Sequence, residues 1–139
     1  MAYGTRIPIK TRAELDAMRE AGRHVGEILL ALRQHAKAGV RTRDFHDLAM
    51  MEIGRRGLTS SFVGYGPGGL PPYPAAVCIS VNEEIVHGIP GARELKDGDI
   101  VSIDFGAICD GFHGDSAVTI PVGEIDEVAA KLVEVTRDS

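Results

Sequence analysis

Residues 100–123 read IVSIDFGAICDGFHGDSAVTIPVG, two apolar runs on either side of Asp110-Gly111. Asp-Gly is a favoured dipeptide for the two-residue turn of a β-hairpin, and turning there sets Asp104 opposite Ala117 and Gly106 opposite Asp115. Side chains alternate along a strand, so Val101, Ile103 and Phe105 share one face with Val118 and Ile120, a compact apolar set suited to packing under a helix. The other face carries Ser102, Asp104, Gly106, Asp115, Ala117 and Thr119. Aspartate is disfavoured in strands because its side chain competes for backbone hydrogen bonds, so two on one face call for a reason. As diagonal cross-strand neighbours they stand roughly 7 Å apart, where two charges repel by on the order of 2 kcal/mol at an effective dielectric near 20. Their opposite residues are small, which leaves room for a divalent cation bound by carboxylate oxygens at about 2.0–2.2 Å. The same pattern fits a solvated face whose aspartates point at water, and the pattern by itself leaves both readings open.

Working outward, Lys96-Asp97-Gly98-Asp99 turns the chain into this hairpin. Before it, Val77–Val81 (VCISV) and Ile85-Val86-His87 flank the polar Asn82-Glu83-Glu84 and predict a second hairpin, ended by Gly88 and Pro90. Residues 60–76, SSFVGYGPGGLPPYPAA, are too rich in glycine and proline for regular structure and form a long functional loop. Thr11-Arg12-Ala13-Glu14 is a capping box that starts a helix, along which Leu15, Met18, Gly22, Val25, Leu29, Leu32 and Ala36 recur at helical spacing until Gly39 stops it. Thr42 is the expected N-cap of a shorter helix with Phe45, Leu48, Ala49 and Ile53 on its apolar stripe, closing at Arg55-Arg56-Gly57. A third helix follows Gly123, with Ile125, Val128, Leu132 and Val135 on one face and no later element to cover it. Two helices, two hairpins and a further helix predict an α+β fold with an antiparallel sheet under helices.

The composition narrows the functions open to this fold. Fifteen Lys and Arg against 20 Asp and Glu give a net charge of −5, without the basic stripe that a phosphate backbone requires, so no nucleic-acid partner is expected. Cys78 and Cys109 form neither a C-x-x-C pair nor a disulfide framework. The stretch MAYGTRIPIKTRAEL lacks the apolar core of a signal peptide, and no run approaches the ~18 apolar residues of a membrane span, so the expectation is a cytoplasmic protein without membrane contact. His87, at the end of an apolar run, has a side chain suited to proton exchange near neutral pH, but a lone histidine in such a position is more often structural than catalytic. His24, His35 and His46 fall in the helices and read as solvated or boundary residues, while His113 at the turn is open.

Taken together, NEEIVHGIPG (82–91), LKDGDIVSIDFG (95–106) and DGFHGDSAVTIPVG (110–123) resemble the type I methionine aminopeptidases. The helix with its REAGR stretch, the loop leading into PAAVCISVNE and the spacing of Asp104 and Asp115 follow the same order. That resemblance implies the pita-bread fold, in which two similar halves surround a dinuclear metal centre. It implies a metalloprotease, a hydrolase of protein maturation that removes the initiator methionine from nascent polypeptide N-termini when the next residue is small, in proximity to the ribosome. Two divalent ions, cobalt, manganese, iron or zinc, are the implied cofactors. Asp104 and Asp115 match the two aspartate ligands, with Asp115 expected to bridge the ions. His87 matches a catalytic histidine that contacts substrate near the scissile bond, and Tyr73 and Cys78 match the pocket that binds the methionine side chain.

The family's remaining ligands, one histidine and two glutamates, match nothing in 1–139. Glu124, Glu127 and Glu134 fall on the last helix and the other histidines come earlier. The expectation is therefore that 1–139 is the N-terminal half of the catalytic domain, truncated after the first half and inactive alone. The alternative is a non-catalytic half-fold that binds peptide or protein, or an inactive remnant. Proline-specific peptidases of the same architecture also use two spaced aspartates, but HGIP and DGFHGD argue against them.

Overall fold

A computed structural model describes residues 8–139 and gives the α+β architecture expected. The reading of the N-terminal stretch as lacking an export signal falls partly on residues 1–7, outside the described residues. The elements in chain order are α1 (Arg12–His35), α2 (Thr42–Arg56), β1 (Thr59–Ser60), a single 3-10 turn (Pro67–Gly69), β2 (Val77–Val81), β3 (Ile100–Cys109), β4 (Phe112–Pro121) and α3 (Glu127–Asp138). Among these helices none is long and apolar enough to cross a membrane.

Every strand of the sheet pairs with β3. Along one edge β3 runs antiparallel to β4 from Ile100↔Pro121 to Cys109↔Phe112, the register set by a turn at Asp110-Gly111. Along the other it pairs with β2 over Val101–Phe105 and with β1 at Ala107 and Ile108. The core face is the one expected: Val101, Ile103 and Phe105 are completely buried and Ile120 nearly so. Burying side chains of this size contributes about 1.5–3 kcal/mol each. Against that face packs α1, and α2 closes its flank through Phe45, Ala49 and Ile53.

The capping box forms as predicted, the Glu14 carboxylate accepting from Thr11 N–H at 2.7 Å and the Thr11 hydroxyl from Glu14 N–H at 3.3 Å. The buried stripe of α1 is Ala21, Val25, Ile28, Leu29 and Leu32, whereas Leu15 and Met18 stay partly exposed and Gly22 lies outside it. The first turns of α1 therefore project past the sheet. The helix also ends at Ala36 rather than Gly39, whose N–H instead donates to the Leu95 carbonyl at 2.8 Å. His35 is more than a boundary residue: its ring packs edge-on against Phe45 at 5.4 Å and its buried Nε2 has no hydrogen-bond partner among the described residues.

Two local expectations are corrected. Thr42 does not cap α2. The N-cap is Arg41, whose N–H is met by the Asp44 carboxylate at 2.9 Å. Thr42 is buried, and its hydroxyl accepts from Gly91 N–H at 2.8 Å while lying 3.2 Å from the Gly91 carbonyl, a clamp between α2 and the 82–99 connection. The second correction concerns the hairpin predicted between Val77–Val81 and Ile85–His87. Asn82 takes a left-handed φ of 54° and ends β2, and Ile85 and Val86 are exposed outside the sheet. The Asn82 side chain holds the start of β3, accepting from Ile100 N–H at 2.9 Å and donating to Asp99 at 2.8 Å. Direct pairing with β3 takes the place of the expected partner.

Candidate metal centre

Register across three strands builds the floor of the site. Cys78 of β2 stands opposite Asp104 of β3, which stands opposite Ala117 of β4. Two residues along, Gly106 stands opposite Asp115. Both aspartates thus occupy the sheet face turned away from α1, as the sequence predicts. Cys78 joins them because strand alternation places Val77, Ile79 and Val81 on the core side.

Gly106 explains how Asp115 lies. A β-carbon at 106 would meet Asp115 Oδ2 at 2.9 Å, Phe62 Cε1 at 2.9 Å and Ser61 Cβ at 3.1 Å. The Asp115 carboxylate is therefore folded down over β3, in space that any larger residue at 106 would take. Burial, and then the Asp115 carboxylate, push the Asp104 carboxyl above the ordinary aspartate range, with His87 opposing. Among the described residues no lysine or arginine contributes there. Two carboxylates converging without a counter-charge are a poor arrangement for the protein alone and a good one for a hard divalent cation. The donors present fit part of such a centre, and among the described residues no group of three or more His, Cys, Asp or Glu is placed to complete one.

His87 reaches the rim on a strained backbone. Its φ is 59°, a left-handed conformation costing a non-glycine residue about 1–2 kcal/mol. Its neighbour Gly88 lies so close to β2 that a β-carbon there would sit 2.1 Å from the Ile79 carbonyl oxygen. Three contacts fix that approach: Gly88 N–H donates to Ser80 Oγ at 3.1 Å, Ile79 N–H donates to the Gly88 carbonyl at 2.9 Å, and the Tyr73 hydroxyl lies 3.0 Å from the same carbonyl. Tyr73 Oη is also 3.2 Å from the Val77 carbonyl, and burial pushes its ionisation far above the ordinary tyrosine value. Burial likewise raises the Cys78 thiol, so it remains protonated and apolar in character.

The five residues singled out from sequence, Tyr73, Cys78, His87, Asp104 and Asp115, all line one open cavity of about 740 Å³. Ser61, Phe62, Tyr65 and Leu70 line it too, from the loop 60–76 that the sequence marks as functional without singling them out, while sequence reasoning misses Ile89 and leaves His113 open. His113 shares the face of Asp115 two positions away, and its Nδ1 lies 2.9 Å from Ser61 Oγ. Alternation on β4 carried that signal. Phe62 packs edge-on to Tyr73 at 6.4 Å, brought together by the loop's own hydrogen bonds from Gly64 N–H to the Tyr73 carbonyl and from Tyr73 N–H to the Tyr65 carbonyl.

Residues 16–139 match the profile of metallopeptidase family M24. Methionine aminopeptidase 1 of Bacillus subtilis is 49% identical over 133 residues, covering 96% of this chain and 52% of its own length. The crystal structure of a methionine aminopeptidase from Thermotoga maritima superposes with a TM-score of 0.86 at 41% identity, over 94% of this chain and 51% of that one. Aminopeptidase P of Escherichia coli, at 20% identity and a TM-score of 0.75 over 93% of this chain and 27% of its own, shares the fold alone. The chain spans about half the length of the curated relatives it matches. Its sheet and helices correspond to half of the pita-bread fold.

Proposed function

The chain belongs to metallopeptidase family M24, and from that premise we propose that residues 1–139 are the N-terminal half of a methionine aminopeptidase catalytic domain. The observation that carries the reading is the carboxylate pair of Asp104 and Asp115, laid over Gly106 and Ala117 at the floor of a cavity with His87 at its rim. The reaction is removal of an initiator methionine from nascent protein N-termini with a small second residue, in the cytoplasm and close to the ribosome. Asp104 and Asp115 would hold two divalent ions, with manganese, iron, cobalt and zinc all suited to carboxylate donors. When bound, such ions supply positive charge that polarises a carbonyl and acidifies water.

The chain's own residues do the rest. Cys78 and Tyr73 wall the space for the methionine side chain, the thiol uncharged and the phenol held protonated by its burial. His87, stiffened by the contacts at Gly88, donates a hydrogen bond to the oxygen that gains charge at the scissile carbonyl. Two ligands of the five that the resemblance implies make the 139-residue chain inert alone.

The test is direct. Joined to the continuation of its reading frame, which should encode a histidine and two glutamates on strands, the chain should release methionine from Met-Ala-Ser with Mn²⁺ and leave Gly-Ala-Ser intact. A continuation without those ligands would refute the enzyme reading, and methionine release by the purified 139-residue chain would refute its inertness. A second reading, a non-catalytic half-fold that binds a protein, is favoured by α3, where Val128, Leu132 and Val135 are 81%, 58% and 53% exposed along one face.

A further inference from the structure

We propose that the turn of residues 66–72 is a subsite for the part of a peptide that follows its first two residues, and that it prefers apolar side chains there. The proposal rests on the aminopeptidase reading, because such a substrate has nothing on the amino side of its first residue. The cavity holds about 740 Å³. A space on the order of 150 Å³ already takes a ligand of benzene's size, comparable to a methionine side chain. Beyond that side chain the cavity stays open to the part of a peptide that follows the scissile bond.

Pro67, Leu70 and Pro71 bound that remainder, on the same cavity as Asp104 and His87. Leu70 is 65% exposed although it lines the cavity, so it keeps apolar surface for a ligand to cover. The turn is built to stay in place. Gly64 N–H donates to the Tyr73 carbonyl at 2.9 Å, Tyr73 N–H to the Tyr65 carbonyl at 2.8 Å, and Leu70 N–H to the Pro67 carbonyl at 3.2 Å. Prolines at 67, 71 and 72 fix further dihedrals, so a peptide meeting this wall loses little of its binding energy to ordering it. Residues 66–72 carry no charge, so they offer apolar contact and no ion pair to side chains beyond the second residue.

The experiment is calorimetric titration of the 139-residue chain, saturated with Mn²⁺, with Met-Ala amide, Met-Ala-Leu-Leu and Met-Ala-Ser-Ser. The leucine peptide should bind about fivefold more tightly than either of the others, equivalent to about 1 kcal/mol. In Leu70→Ser that advantage should shrink to within about twofold, with the affinity for Met-Ala amide and the thermal midpoint unchanged. Equal affinities in the parent chain, an advantage that survives Leu70→Ser, or no binding by any peptide would overturn the subsite, which lies wholly within this chain. If N-acetyl-Met-Ala-Leu-Leu binds as tightly as its free-amine counterpart, the aminopeptidase reading fails while the preference for leucine stands, so the two failures are separable.

Discussion

Replacing Asp104 with asparagine should make the metal-free protein more stable and the metal-loaded protein less so. In the fold, Asp104 and Asp115 face each other diagonally, and the Asp104 carboxyl is pushed up by burial and by Asp115, with only His87 opposing among the described residues. A carboxyl whose folded pKa is raised destabilises the protein at neutral pH, and the penalty lifts as pH falls through that folded value. Two charges at the diagonal spacing repel by on the order of 2 kcal/mol, which solvent screening at the exposed Asp115 reduces to about 1 kcal/mol. Asparagine keeps the size and removes the charge. For a chain of this length that gain corresponds to about 3 °C in Tm. Metal reverses the order: an ion present at about 100 times its Kd stabilises the parent by about 2.7 kcal/mol, or roughly 8 °C, through ligands that the variant lacks. Thermal unfolding followed by circular dichroism, in EDTA and in MnCl₂, reads both effects. The reasoning is refuted if Asp104→Asn unfolds below the parent in EDTA, since the face would then not be repulsive, or if Mn²⁺ raises both proteins equally.

Gly106→Ala should weaken Mn²⁺ binding about 5- to 150-fold, because displacing Asp115 Oδ2 or the Phe62 ring to admit the new methyl costs about 1–3 kcal/mol; titration calorimetry measures it, and unchanged affinity would contradict the placement of Asp115. Thr42→Val keeps the shape of a buried side chain but leaves Gly91 N–H without its acceptor, an expected loss of about 1–3 kcal/mol in urea denaturation. Glu27 is held below the ordinary glutamate range by the Arg56 guanidinium of α2 and then by Arg23 of its own helix. A depressed carboxyl contributes stability above its unfolded pKa and loses it as pH falls through the folded one. The parent should therefore be more stable than Glu27→Gln at pH 7, and the gap should narrow as pH falls below the ordinary glutamate range, as thermal melts across acid pH would show.

The hairpin register, the core face and the carboxylate face were all legible because they follow from period-two alternation about one turn, and Asp110-Gly111 fixes that turn. The resemblance in three short motifs then supplied roles for residues that the pattern had left ambiguous, His87 above all. What could not be read locally was long-range pairing. Ile85-Val86-His87 looks like a strand by composition, but the residue that decides its fate is Asn82, whose side chain bonds to Asp99 and Ile100 rather than to its own neighbours. The same limit kept Phe62 and Ser61 from being singled out within their loop, which enters the site where two residues of β1 pair with the far end of β3. Thr42 failed as an expected cap for a related reason. Its hydroxyl finds Gly91, 49 positions away, while Asp44 satisfies the helix start. Helix α1 was right in kind and rotated in detail, since periodicity gives a stripe but not which part of it the sheet covers.

The position of β3 as sole partner of β1, β2 and β4 among the described residues has a consequence for synthesis. During translation, α1, α2, β1 and β2 leave the ribosome before any strand exists to pair with them, and their apolar faces wait on residues 100–109. At about 5–20 residues per second that interval is roughly 5–20 s for the first hundred residues, long enough for a holdase to matter. The hairpin of β3 and β4, joined by two residues, can close on itself as soon as it emerges and then template everything made before it. The topology thus predicts late folding, driven backwards along the sequence, with the strand that carries Asp104 as its trigger.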